Sequence, residues 1–256
     1  MDKMKIGIQL YSLRRELAED YFGVFEKVKE MGYDGVELAG LYGYNADEVR
    51  AHCGKIGIIP FSAHVLHTEL MENPGLMKEY AEIGCEYMVI PYLSEEYRPG
   101  AAKFSEFLRD ARILGERADE LGMKLCYHNH EFEFGRIGGE YGLDVIYRDI
   151  PKEILKTEFD TCWIKYMGEN PCEYIKKYAD RTEIVHFKDY AVTDNNGIKE
   201  IDFRCLGDGE QDMEAMIAAS KEIGMKWIIV EQDEPAKNKT PFECAEENIN
   251  YLKMKL

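Results

Sequence analysis

One arrangement of polar and apolar residues recurs along the chain. A charged residue, an aliphatic residue and a glycine precede a short apolar run, as in EMGYDGVEL, KIGIIPFSA, EIGCEYMVI, ELGMKLCYH and EIGMKWIIV. Gly32, Gly57, Gly84, Gly122 and Gly224 stand where a helix would end, because glycine takes up the left-handed cap conformation at little cost. The runs behind them have strand length and are rich in Val, Ile, aromatic residues and Met. Ahead of them apolar residues fall at helical spacing: Phe22, Phe25, Val28 and Met31 before Gly32, and Phe104, Phe107, Leu108 and Ala111 before Gly122.

The alternation predicts eight strands, over 5–10, 35–38, 58–64, 87–92, 124–130, 155–160, 183–188 and 227–232. Nearly continuous apolar strands alternating with helices imply a parallel sheet covered by helices. Eight such units in 256 residues is the arithmetic of a single (β/α)8 TIM barrel spanning 1–256. An open, doubly wound α/β sheet would carry a Gly-rich turn after its first strand, and GIQLYSLRR has none. No linker rich in Ser, Pro or Gly divides the chain.

Composition narrows the partners. With 45% apolar and 32% charged residues there is ample material for a core. The net charge of −17 argues against a nucleic-acid partner, whose phosphates are neutralised by Lys and Arg. The seven cysteines are scattered, with no C-x-x-C, so neither a disulfide framework nor a zinc ribbon is expected. Reduced thiols in a cytoplasm are the plain reading. The N-terminus lacks the apolar length and cleavage site of a signal peptide, and no run reaches the length of a membrane span.

In such a barrel the active site forms at the C-terminal mouth, so the last residues of each strand are informative. They are Gln9 and Tyr11, Glu37, His64, Tyr92, His128 and His130, Asp160, His186 and Lys188, and Glu231 and Asp233. Residues two apart on a strand share a face, so His128 and His130, His186 and Lys188, and Glu231 and Asp233 point together. A single polar residue at a strand end is commonly a turn or cap residue. Capping, however, uses Ser, Thr, Asp or Asn, and this set is dominated by His, Glu and Lys.

Asp160, His186 and Glu231 close three successive late strands. Two carboxylates and an imidazole suit one divalent cation such as Mn²⁺, Co²⁺, Zn²⁺ or Mg²⁺. A fourth ligand is expected from LCYHNHEFEF, which holds two of the six histidines. His128 or His130 lines the mouth, and Glu133 loops back toward it; spacing leaves the fourth ligand open. His52 and His67 are read as solvent-facing. Trp163, Tyr11 and Tyr92 offer apolar walls at the mouth. Arg204, just before the weak Gly207-Asp208-Gly209 turn, is either a holder of a substrate oxyanion or an exposed loop arginine. No dinucleotide or P-loop fingerprint occurs, so no nicotinamide, flavin or ATP is expected.

These residues resemble the sugar phosphate isomerase/epimerase family of xylose-isomerase-like barrels. The motifs are IGIQLYSLR, YDGVEL, YHNHEFEF, FDTCW, VHFKD and VEQD at strands one, two, five, six, seven and eight, with LGDGEQDM as the loop after the seventh strand. The resemblance covers essentially the whole chain. It implies one divalent metal held by Glu, Asp, His and Glu, of which Asp160, His186 and Glu231 match. His128 stands where the first Glu is expected, and the YHNH variant is more like inosose dehydratases and members that act on 3-keto-glycosides. The implied chemistry is removal of a proton next to a carbonyl of a keto-sugar or cyclitol by a lyase or isomerase/epimerase. The resemblance leaves a homo-oligomer open.

On this reading His128 and His130 transfer protons, with Glu231 and Lys188 in supporting catalytic roles. Glu133 completes the metal site with Asp160, His186 and Glu231. Gln9, Glu37, His64, Trp163 and Arg204 bind substrate. In the rival arrangement His128 ligates the metal and Glu133 pairs with a basic group such as Arg136. Two other functions compete: a non-catalytic sugar-binding barrel, and an endonuclease of the same superfamily with three zinc ions, which the acidic balance and the few histidines disfavour.

Overall fold

The computed structural model describes residues 3–195 and 198–256. Eight parallel strands close into a barrel: β1 (Lys5–Gln9), β2 (Gly35–Leu38), β3 (Ile59–His64), β4 (Tyr87–Ile90), β5 (Lys124–His128), β6 (Lys156–Asp160), β7 (Thr182–Phe187) and β8 (Trp227–Val230). Each strand pairs with the next, and β8 returns to β1. The expected (β/α)8 barrel is therefore the fold. The strands anticipated at 87–92, 124–130 and 227–232 stop two residues earlier. Tyr92, His130 and Gln232 thus lie on the loops above the pairing.

Local chemistry explains the joints. Gly32, Gly57, Gly84, Gly122 and Gly224 all adopt positive φ at helix ends, as anticipated. The helices Ala46–Ile56 and Pro241–Lys255 open on capping boxes, Asn45 with Glu48 and Thr240 with Glu243. These satisfy otherwise orphaned N–H groups.

Strand alternation sorts the side chains into two sets. Ile8, Val36, Met88, Leu125, Tyr127, Phe159, Val185 and Ile228 belong to the large core shared with the helices. Phe61, Tyr87, Val89, Cys126, Ile184, Trp227 and Ile229 form a separate cluster inside the barrel. Phe61 and Trp227 stack there with centroids 3.9 Å apart. Gly35 makes room for them: a Cβ would fall 2.5 Å from the Ile59 carbonyl and 2.8 Å from both rings. The lower barrel is thus plugged by apolar side chains, and polar groups begin one layer higher.

Two hairpins were not foreseen. Arg136–Ile137 pairs with Glu140–Tyr141, and after β7 a longer ribbon pairs Asp189–Asn195 with Ile198–Arg204. The glycine-rich turn that follows the ribbon wraps a protein carboxylate: Asp189 accepts from the N–H groups of Gly207, Gly209 and Gln211, at 2.9–3.1 Å. That turn is a clasp around Asp189, and a Cβ at Gly209 would meet Asp189 Oδ1 at 2.2 Å. His67, read as solvent-facing, is buried against Tyr97 and Phe107. His52 lies half-buried on Phe22.

Candidate metal centre at the barrel mouth

Strand register assembles the site. β5 sets His128 beside Glu158 of β6, β6 sets Asp160 beside His186 of β7, and β7 sets His186 beside Ile229 of β8. Two residues beyond Ile229, on the same face, comes Glu231. One ligand atom each from His128, Asp160, His186 and Glu231 lies within 4.8 Å of the others, and all four residues are buried. Glu231 and His128 also line a cavity of about 450 Å³ with Tyr11, His64, Tyr92, His130 and Asp233.

Lys188, the residue after β7, reaches into this cluster. Its ammonium lies 2.9 Å from Asp160, 2.8 Å from Glu231 and 3.0 Å from Asp233. Burial opposes the lysine charge, but these carboxylates hold its pKa well above the ordinary value. Glu231 is held well below its ordinary value, against burial, by Lys188 and His186. Asp160 is less compensated: burial pushes its carboxyl up to about 6 despite Lys188. Its Oδ1 accepts from the Cys162 N–H at 2.8 Å, and its buried Oδ2 faces the Lys188 ammonium at 2.9 Å. Two carboxylates and two imidazoles converging from four strands are a donor set that suits a divalent cation.

A second polar layer lies beneath. Gln9 Nε2 donates to Glu37 at 2.8 Å, and Ser62 Oγ donates to the other Glu37 oxygen at 2.5 Å. His186 Nε2 is 2.7 Å from Glu37 and 3.3 Å from Glu158. His64 Nε2 is 2.7 Å from Glu158 and 3.0 Å from Glu37. His128 Nδ1 is 3.2 Å from Glu158. Burial disfavours charge throughout this layer, yet Glu37 and Glu158 raise His64 to about 10. His64 and His186 in turn lower Glu37. His186 is raised by Glu158, Glu37 and Glu231. His128, by contrast, is driven well below the ordinary histidine range by burial.

Glu133 is not in either layer. It sits in the turn Phe132–Phe134, accepts from Tyr127 Oη at 2.5 Å and from the His130 N–H at 2.8 Å, and burial pushes its carboxyl up to about 7. Tyr127 alternates with His128 along β5 and belongs to the core outside the barrel, so its partner Glu133 is drawn to that side. Both carboxylate oxygens are engaged there. Glu133 is therefore held away from the cluster, in which His128 stands with Asp160, His186 and Glu231. Arg136 bonds instead to the Gly139 carbonyl.

The remaining expected site residues divide. His64 and His130 line the cavity. The His130 Nδ1 is buried without a partner, and burial with the nearby Lys188 charge lowers its pKa to about 3, leaving it neutral. Trp163 stands beside it, ring centroids 5.7 Å apart, with its own indole N–H unpartnered. Gln9 and Glu37 are fully buried in the lower layer and do not line the cavity. Arg204 ends the long hairpin in an ion pair with Asp202, away from the cavity lining. Glu158 was missed altogether. The signal was present in TEFD, where Glu158 stands two residues before Asp160 and therefore shares its inward face.

Fold and site together define a TIM barrel whose mouth brings together four side chains that could hold a metal ion. The chain matches the family model described as xylose isomerase-like TIM barrel over residues 25–254, and it belongs to that family. It is 30% identical over 154 residues to an inosose dehydratase of Clostridium beijerinckii, covering 56% of this chain and 51% of that protein. The chain thus spans about half the length of that relative. An inosose dehydratase of Geobacillus kaustophilus is 25% identical over 90% of this chain and 85% of its own. Among solved structures, a sugar phosphate isomerase/epimerase from Parabacteroides distasonis superposes with a TM-score of 0.80 at 24% identity, covering 98% of both chains.

Proposed function

We propose that this chain is a divalent-metal-dependent carbon–oxygen lyase acting on a keto-sugar, a 3-keto-glycoside or a cyclitol. The observation that carries the reading is the convergence of His128, Asp160, His186 and Glu231 beside a cavity of sugar-accommodating size, about 450 Å³. These four residues would hold the cation, with Mn²⁺, Co²⁺, Zn²⁺ and Mg²⁺ all compatible with the N/O donor set. When bound, such an ion supplies Lewis-acid stabilisation of charge developing on a carbonyl oxygen.

The chain's own residues supply the rest. His130 is neutral and lines the cavity, so it is the residue we assign to take the proton from the carbon next to the carbonyl. The Lys188 ammonium, near Glu231 and Asp233, offers a fixed positive charge toward a substrate oxyanion. Tyr11 and Tyr92, both half-exposed at the rim, flank the ring of a bound sugar. The bond to the β-oxygen then breaks as the carbon–carbon double bond forms, and the oxygen leaves as water or an alcohol on taking the proton held by His130. Gln9 and Glu37 serve as supports for His186, not as substrate contacts. The inosose dehydratase relatives support a lyase acting on a small carbohydrate, and we place it in the cytoplasm.

An isomerase or epimerase is the second reading. It is favoured by Glu231 and His130 both lining the cavity, which gives two groups able to move protons. Mass spectrometry of the Mn²⁺-supplemented protein acting on an inosose or a 3-keto-glycoside in D₂O separates the two. A lyase releases water or the aglycone, whereas an isomerase conserves composition and exchanges a carbon-bound hydrogen. His186→Ala is expected to lose metal and activity together while remaining folded. Full metal content in that variant, or activity indifferent to a chelator, overturns the proposal.

A further inference from the structure

Glu158 is fully buried beneath the candidate metal centre, and one of its oxygens does unusual duty. Oε2 lies 2.7 Å from His64 Nε2, 3.2 Å from His128 Nδ1 and 3.3 Å from His186 Nε2. Two of those rings have their other nitrogen at the mouth: His128 Nε2 is 3.6 Å from Asp160, and His186 Nδ1 is 3.1 Å from Glu231. Each ring therefore bridges an inner carboxylate and an outer one. An imidazole that ligates a metal must present a lone pair, and its proton must then sit on the opposite nitrogen. A carboxylate behind the ring fixes which nitrogen that is.

We propose that Glu158 is a positioning residue that fixes His128 and His186 as metal ligands from behind. It takes the inward N–H of His128 directly and shares that of His186 with Glu37. His128 thereby faces the cation through Nε2 and His186 through Nδ1. The two histidines use different nitrogens because they approach the cluster from different strands, with the same inner carboxylate between them. The Glu158 Oε1, buried and unpartnered, leaves the carboxylate oriented by the three rings alone. This assignment rests on the proposed metal centre and gives its residues their protonation pattern.

The test uses the full chain stripped of metal and titrated with Mn²⁺ alone by calorimetry, alongside Glu158→Gln. Long-range ¹H–¹⁵N spectra of ¹⁵N-histidine-labelled protein, free and Zn²⁺-loaded, read the tautomers. We expect one ion per chain in both proteins, with a dissociation constant about 10–100-fold weaker in the variant. In the loaded wild type, His128 should carry its proton on Nδ1 and His186 on Nε2, and in Glu158→Gln these single tautomers should give way to mixtures. Unchanged affinity with unchanged tautomers overturns the role. So does a fall from two bound ions to one, which would make Glu158 a ligand. A wild type that binds no ion defeats the metal centre instead, while the tautomers of the free protein still report whether Glu158 orients the rings. If Glu158→Gln fails to fold by circular dichroism, Glu158→Asp and the wild-type tautomers carry the test. The opposite protonation of His128 or His186 in loaded wild type overturns the assignment by itself.

Discussion

Replacing Lys188 by methionine separates the two positive charges that the mouth can use. The ammonium is the cationic group nearest both Asp160 and Glu231, at 2.9 and 2.8 Å, and it is almost completely buried. Methionine keeps most of the volume and removes the charge. Stripping one partner from a buried ion pair typically costs about 3–5 kcal/mol, because the remaining charge is left uncompensated. The third carboxylate, Asp233, is partly exposed and adds little. For a chain of this size that loss corresponds to a fall in Tm of roughly 6–20 °C.

The assay is thermal and urea denaturation of Lys188→Met against wild type in a chelator, then in excess Mn²⁺. The gap should open in the chelator and narrow with metal. An ion present at about 100 times its dissociation constant adds about 2.7 kcal/mol to the folded state, and it restores positive charge where the ammonium was. The gap should also narrow on acidification. Without Lys188 the pKa values of Asp160 and Glu231 rise, so the penalty exists above those raised values and disappears as pH falls through them. A variant as stable as wild type in chelator would refute the burial argument. A gap that metal leaves untouched would mean the ion does not sit between these carboxylates.

Two further outcomes test the frame that holds the site. Gly35→Ala should lower stability by about 1–3 kcal/mol, because the new methyl meets the immovable Ile59 carbonyl as well as the stacked Phe61 and Trp227 rings; a wild-type melting temperature would contradict this. At the opposite end of the barrel from the site, Glu183 is ion-paired with Lys124 and Lys226 and bonded to Tyr87, which together outweigh burial and lower its pKa to about 2. Its contribution is present above the unfolded pKa near 4.5 and is lost as pH falls toward 2. Glu183→Gln should therefore cost about 1–2 kcal/mol at pH 7, allowing for solvent screening, with the difference shrinking below about pH 4.5; a gap that stays constant down to pH 3 would count against the ion pairs.

The barrel was legible because its signals are local. Each glycine-ended helix and the apolar run behind it are read within a dozen residues, and all eight barrel strands begin within one residue of their anticipated start. The hairpin Asp189–Asn195 with Ile198–Arg204 was also locally encoded, in alternating residues around the Asn196-Gly197 dipeptide. The βα rhythm simply left no place for an insertion. Asp189 shows a different limit: a Gly-Asp-Gly turn looks the same in sequence whether it cradles an external anion or a carboxylate of its own chain.

The site was legible only in part, for a reason that is physical. Strand ends announce which residues can reach the mouth, and Asp160, His186 and Glu231 were found that way. What strand ends do not announce is depth. Glu158, Glu37, Gln9 and Ser62 lie one layer below the mouth, where a polar side chain survives burial only if partners from neighbouring strands satisfy it. Those partners are set by register between strands far apart in the chain, such as Glu37 and His186, 149 residues apart. Glu133 fails in the opposite sense. It is close in sequence to His128, yet the alternation of β5 turns its partner Tyr127 outward. Proximity along the chain therefore misled where the face of a strand decided, and His128, on the inward face, is the residue that stands in the cluster with Asp160, His186 and Glu231.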